Sequence, residues 1–221
     1  TSTFTERSLA LTLTSGKPYD VFIYDNAGTI TLEVLVWTND TTRATALVLQ
    51  DGVEVKSGAT TRRYIGTIYA SGANQTEDSL AKRFVWNRYN RVTRPMRVLE
   101  GTNSWNYTVA TYQQANAAAT NQLDVVQGLA EDAIDVMIQA VASNASNNSV
   151  QVAVGEDSAT TPVAGSIRGH DGIVAGNAVA VNAAYVGVPA VGRHYYTWLE
   201  QSAAVGTTTW YGDNGGTTMQ T

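Results

Sequence analysis

Apolar residues alternate with small or polar ones along most of the chain, a period of two that marks half-buried strands rather than helices. Leu9, Leu11 and Leu13 open the pattern, Ser15-Gly16-Lys17-Pro18 supplies turn chemistry, and the next run is Tyr19 to Tyr24. Asp25-Asn26-Ala27-Gly28 separates it from Thr29 to Thr38, where Ile30, Leu32, Val34 and Val36 share a face. That arrangement predicts a hairpin with a four-residue loop. Asn39 to Leu49, carrying several Thr and Ala, reads as a short helix. Brief strands are expected at Val53 to Val55, after Asp51-Gly52, and at Arg63 to Tyr69.

Beyond residue 100 the β rhythm strengthens. Expected strands are Ser104 to Tyr112, Gln122 to Leu129, Ile134 to Ala142, Ser149 to Gly155, Ala178 to Gly187, Gly192 to Ala203 and Thr207 to Tyr211. Ile134 to Ala142 also suits a helix, because Ala and Met favour one. Turn-rich tracts at Ser143 to Asn148, Asp157 to Thr161 and Gly169 to Gly176 lie between them. Short strands at such spacing predict an all-β protein, a sandwich or closed barrel, with a jelly roll the first choice.

Charge divides the chain in two. Up to Arg97 there are 12 basic and 9 acidic residues, and from Val98 onward 2 basic and 10 acidic. The change coincides with Arg94-Pro95-Met96-Arg97, where the proline restricts its predecessor to extended backbone. An N-terminal β-rich assembly module over residues 1–100 and a C-terminal β-sandwich over 101–221 are therefore expected. Only 15% of the 221 residues are charged, and cysteine is absent, which excludes disulfides and thiolate metal sites. No apolar run reaches the roughly 18 residues of a membrane span, so membrane insertion is not expected.

Candidate chemistry is sparse. Lys82, Arg83, Arg88, Arg91, Arg94 and Arg97 interleave with Phe84, Trp86 and Tyr89, a pattern that can track phosphates and stack on bases. The acidic balance favours instead aromatics turned inward and arginines paired with carboxylates, and no nucleic-acid partner is expected. Glu131-Asp132 and Glu156-Asp157 are adjacent acids that point to opposite faces of a strand, poor geometry for joint acid–base work. His170 and His194 are the only histidines. His170, beside Asp171 in a glycine-rich stretch, reads as a solvated loop residue, and His194 as a satisfied core or interface histidine. No catalytic, cofactor or metal residues are assigned. Trp198, Trp210 and Tyr211 suit stacking on a glycan as well as filling a sandwich. Sequons at Asn39, Asn74, Asn106, Asn144 and Asn147 carry little weight in a chain so rich in Asn and Thr.

Four stretches say more than their composition: Tyr19-Asp20-Val21-Phe22-Ile23-Tyr24-Asp25-Asn26-Ala27-Gly28, Gln50-Asp51-Gly52-Val53 through Lys56-Ser57-Gly58-Ala59-Thr60-Thr61-Arg62-Arg63-Tyr64-Ile65-Gly66, Gln75-Thr76-Glu77-Asp78-Ser79-Leu80-Ala81-Lys82-Arg83-Phe84-Val85-Trp86-Asn87, and Ser104-Trp105-Asn106-Tyr107-Thr108. Over about residues 6 to 130 the chain resembles structural proteins of tailed bacteriophages and prophages, described as fibre, minor tail or other virion appendage proteins. The resemblance implies a β-rich, commonly trimeric virion component that attaches to capsid or tail and in some cases touches the host surface. It also implies an attachment portion ahead of Thr1, so a fragment or an N-terminally shortened version is expected. No catalytic residues come with it. Arg63, Tyr64, Phe84, Trp86 and Tyr89 become the candidates for contacts between subunits, because aromatic and Arg side chains dominate interface hot spots. The expected function is a capsid or tail appendage located in the virion, with other virion proteins and a host surface polysaccharide as partners. The alternatives are a capsid-stabilising cement protein without a ligand and a glycan depolymerase.

Overall fold

The computed structural model describes residues 6–213, which form two compact units. The first contains the residues up to Pro95 together with Asp124–Asp132 and Pro189–Arg193; the second contains Met96–Leu123, Ala133–Val188 and the chain from His194 on. The described residues are all-β, with one 3₁₀ turn at Ala115–Ala117 and no α-helix.

In the first unit, β1 (Pro18–Asn26), β2 (Thr29–Val36), β3 (Leu47–Gln50), β4 (Val53–Lys56) and β5 (Ala59–Gly72) form an antiparallel sheet in the order β2-β1-β5-β4-β3. Two short strands, β6 (Gln75–Thr76) and β8 (Val85–Asn87), pair with β5, while β7 (Lys82–Arg83) runs parallel to part of β11 (Gln122–Gln127). The expected hairpin is present, but its loop is the two residues Ala27-Gly28, since Asn26 pairs with Thr29. Both loop residues have positive φ, 50° and 87°, the geometry whose twist matches that of the flanking strands. β5 is twice as long as the Arg63 to Tyr69 reading because β1, β4 and β8 hold it along its length.

Two expectations fail here for the same reason: side chains outcompete the backbone ladder. Asn39 to Leu49 is not a helix. Asn39 Oδ1 accepts from the Thr41 amide, Thr38 and Asn39 donate to the Thr42 carbonyl, and β3 takes the end of the segment. Leu9 to Leu13 form no strand, for the Leu13 amide donates to Asn74 Oδ1 at 2.7 Å and the Asn74 amide donates back to the Leu13 carbonyl. Leu13 is still buried, against Tyr19 and Ala70.

The core of this unit is aromatic. Phe22, Tyr64, Tyr69, Phe84, Trp86 and Val126 pack together, with Tyr64 stacked on Trp86 at 6.0 Å and Phe22 edge-on to Tyr64. Gly128 lies against this cluster, where a Cβ would stand 2.1 Å from Tyr64 Oη and 2.3 Å from Trp86 Cε3. Only glycine lets the backbone come so close.

The second unit is built from β9 (Ser104–Asn106), β10 (Gln113–Gln114), β12 (Ile134–Asn144), β13 (Asn148–Glu156), β14 (Arg168–Ile173), β15 (Ala178–Gly187), β16 (Gly192–Ser202) and β17 (Thr208–Tyr211). One sheet runs β15-β12-β17-β9; in the other β14, β13 and β16 are neighbours, with β10 added to β16. Val136, Ile138, Ala140 and Ala142 of β12 and Val181 and Ala183 of β15 are buried at every second position, and Val150 and Val152 to Val154 of β13 are buried too, giving a sandwich-like core. Strand alternation thus decides Ile134 to Ala142 against a helix. The expected strand Ser104 to Tyr112 shrinks to β9, because the Tyr107 hydroxyl donates to the Thr111 carbonyl and closes a loop. A polar tract taken as a turn, Gly169 to Gly176, contains most of β14, an exposed strand whose pairing is supplied by β13.

Candidate functional site

The basic and aromatic residues 82–97 separate as strand geometry requires. Phe84 and Trp86 are 3% and 8% exposed in the core, while Lys82, Arg83, Arg88, Arg91 and Arg94 find acids within the first unit. Lys82 pairs with Glu77 at 3.0 Å and Arg83 with Asp78 at 3.2 Å; Arg94 also pairs with Asp78. Arg88 grips Glu54 through two nitrogens at 3.0 Å each, and Arg91 reaches Glu131 and Asp132 while lying 4.7 Å over the Trp86 ring. The Trp86 indole N–H donates to Asp132 at 2.9 Å. Against the burial that would raise it, hydrogen bonds from Arg91 and Trp86 hold the Asp132 carboxyl below the usual range. Glu131-Asp132, weighed as possible catalytic acids, are thus clamps on the Arg-rich segment.

Of the five residues named as candidates for subunit contacts, Tyr64, Phe84 and Trp86 lie in the aromatic core of the first unit. Arg63 and Tyr89 stay at the surface, the guanidinium 4.4 Å over the ring and Nε donating to the phenol oxygen at 2.8 Å.

Buried beneath the hairpin sheet is a polar knot that sequence reading did not find. Asp20, 1% exposed, accepts from Arg43 Nε at 2.8 Å and from the Thr67 hydroxyl at 2.8 Å; Thr67 and the Tyr64 hydroxyl are 2.6 Å apart. Arg43 also donates to the Gly128 carbonyl and lies 4.4 Å over the Trp37 ring. Burial pushes the Asp20 carboxyl up, with Arg43 and Thr67 opposing it. Nothing in the local pattern around Arg43 marks it, since its partners come from β1, β5 and Gly128.

In the second unit the remaining acids are also engaged. Glu156 accepts from Tyr196 at 2.9 Å and from Tyr185 at 3.3 Å, and burial followed by this carboxylate raises both phenols. Asp157 Oδ2 is 2.7 Å from His194 Nδ1, which accounts for the buried histidine. His170 and Asp171 are exposed on β14. Glu200 is fully enclosed: Trp105 Nε1 donates to both its oxygens at 3.0 and 2.9 Å, and Gln113 Nε2 and the Asn116 amide donate at 2.8 and 3.1 Å. Burial, with the nearby Glu100 charge, lifts its carboxyl to about 7 against those donors. Perturbed carboxylates accompany catalysis, but a side chain with no exposed surface cannot touch a substrate. Among the described residues no cluster of His, Asp and Glu is arranged to hold a metal ion.

The candidates for glycan contact scatter. Trp210 is completely enclosed, which removes it as a stacking platform, and its indole donates to the Tyr107 carbonyl. Tyr211 is half-buried with its hydroxyl 3.1 Å from Ser143 Oγ. Trp198 is half-buried, edge-on to Trp105 at 5.8 Å, and lines a cleft of about 360 Å³. Met96–Leu99 and Val136–Gln139 form parts of its wall, as do Asn121–Leu123 and Tyr196–Trp198; Arg97 is the one charged residue among them.

Compared with known proteins, the chain matches no family model, no curated protein and no solved structure.

Proposed function

We propose that the chain is a non-enzymatic structural protein of a bacteriophage particle, a fibre, spike or decoration subunit of capsid or tail that assembles as a homotrimer. The observation that carries this reading is where the polar chemistry lies. The adjacent acids that catalysis would use, Glu131-Asp132 and Glu156-Asp157, are engaged by arginines, tyrosines or histidine, and the lifted carboxyl of Glu200 is sealed from solvent. Side chains committed in this way hold an all-β scaffold rather than turn over a substrate. The likeness of residues 6–130 to phage appendage proteins supplies the particle context, and low charge with no cysteine suits a protein stabilised by buried surfaces. The turn at Ala145 to Asn147 and the exposed strand β14 are the surfaces offered to a host polysaccharide.

The test is adsorption and particle stability measured together. Particles lacking the protein that remain intact on heating but fail to adsorb to host cells support an appendage that meets the host. Particles that adsorb normally yet burst at lower temperature support the cement alternative. Release of reducing sugar from host polysaccharide by the purified chain overturns the non-enzymatic reading.

A further inference from the structure

β14 does not run evenly beside β13. His170 stands opposite Val150 and Ile173 opposite Asn148, so two residues of β14, Asp171 and Gly172, face the single residue Ser149. That is a bulge, and Gly172 supplies its left-handed backbone at φ 65°. Arg168 to Gly172 are exposed, while Ile173 is fully buried and fixes the far side of the bulge. Apart from chain neighbours, no atom lies within 4 Å of where a Cβ on Gly172 would stand.

The bulge holds together two groups that can react. The Gly172 amide donates to Oδ1 of Asp171 at 3.0 Å, which sets the nitrogen beside the carboxyl carbon bearing that oxygen. A bond between that nitrogen and that carbon closes a five-membered ring, and glycine puts no side chain in the way. Reactants held in contact avoid much of the entropy cost of a chance encounter. The chain has one other Asp-Gly pair, Asp51-Gly52, in the tight β3–β4 turn. There both residues are left-handed, at φ 50° and 80°, and among the described residues the Asp51 carboxylate has no hydrogen bond to the Gly52 amide. Local sequence makes the two pairs alike; the fold separates them.

We propose that Asp171 is a self-modification site, where its carboxyl condenses with the next peptide group to a succinimide that opens to isoaspartate. In the first step Gly172 N bonds to Cγ of the neutral carboxyl, and the Cγ–OH bond breaks. The oxygen leaves as water, carrying the carboxyl proton and the amide proton. In the second step water adds to either ring carbonyl. Breaking the N–Cγ bond restores Asp171. Breaking the bond from Gly172 N to the main-chain carbonyl carbon of Asp171 instead routes the backbone through Cβ and Cγ and frees that carbonyl as a carboxylate. Neither oxidant nor metal takes part. The product keeps the negative charge and lengthens β14 by one backbone atom, at the point where the ladder already carries an unmatched residue. The inference rests on β13 and β14 alone and holds whether or not the protein belongs to a virion.

The test ages the full chain in mildly acidic buffer, folded and in urea, then digests it with trypsin. The peptides are treated with protein L-isoaspartate methyltransferase and a labelled methyl donor. Asp171 is the only Asp of the peptide 169–193 and Asp51 the only one of 44–56, so the two pairs report separately. In the folded chain, label in 169–193 is expected to exceed that in 44–56 roughly tenfold, and in urea the two should label alike. A form of 169–193 lighter by one water should precede the label. Both signals should be lost in Asp171→Glu, which keeps the charge but cannot close the five-membered ring, and in Gly172→Ala, whose methyl hinders the nitrogen in an otherwise open site. Equal label in the two peptides of the folded chain, no label in 169–193, or an excess that persists in urea overturns the proposal. Label that survives Asp171→Glu also overturns it, because the isoaspartate would then come from Asn177 or Asn182.

Discussion

Glu200 shows how a single side chain can set the pH response of a fold. Its carboxyl is lifted to about 7 from the ordinary 4.5, so the folded state binds a proton that the unfolded state has released. Stability therefore falls as pH rises from about 4.5 to about 7 and stays reduced above, by an upper limit of about 3 kcal/mol for this one group. Glu200→Gln keeps the shape and removes the charge. Its thermal midpoint should match the parent near pH 4 and exceed it at pH 8; a parallel loss at both values would show that Glu200 acts through shape alone. Arg43 is the opposite case. It neutralises the buried Asp20, and removing one partner of such a pair strands a charge at a cost of roughly 3–5 kcal/mol. Urea unfolding of Arg43→Ala should show a loss of that size, while Arg63→Ala, at the surface, should stay within about 1 kcal/mol.

At the scale of elements, period-two patterning carries most of the information. β12, β13, β15 and β16 lie within a residue or two of where the pattern places them; in β12 and β15 one face is buried, and a slip by one residue would turn it outward. The misses are segments whose backbone bonds go elsewhere. Leu13 gives its amide to Asn74, Asn39 to Leu49 are organised by Asn39 and Arg43, and β14 is a strand only because β13 pairs with it. The β1–β2 turn has its own test. Gly28 at φ 87° should lose about 1 kcal/mol when replaced by Ala, whereas Ala27→Asn, at φ 50°, should gain a few tenths. A gain for Gly28→Ala or a loss for Ala27→Asn in thermal melts would contradict this turn geometry.

For the whole molecule, the proposed trimer makes a claim that light scattering can check. A particle near three times 23.6 kDa is expected, persisting when Phe84 or Trp86 is exchanged for another large apolar residue, since both lie in the core. A monodisperse monomer would remove the trimer from the proposal. Arg63 and Tyr89 are the surface members of the original set, so double replacement by Ala weakening the trimer without lowering monomer stability would assign them to a subunit contact.

The sequence by itself determined the all-β class, most strand positions in the second half, a hairpin turning within Asp25 to Gly28 and the inward aromatic face of Phe84 and Trp86, since all follow from local alternation and turn chemistry. Tertiary structure alone decided the rest. The Asp20–Arg43–Thr67 knot, the sealing of Glu200 and the close approach at Gly128 each join residues tens of positions apart. A pattern along the chain records which face a side chain takes. It holds no record of which distant backbone will arrive to meet it, and the candidate cleft exists only through such meetings.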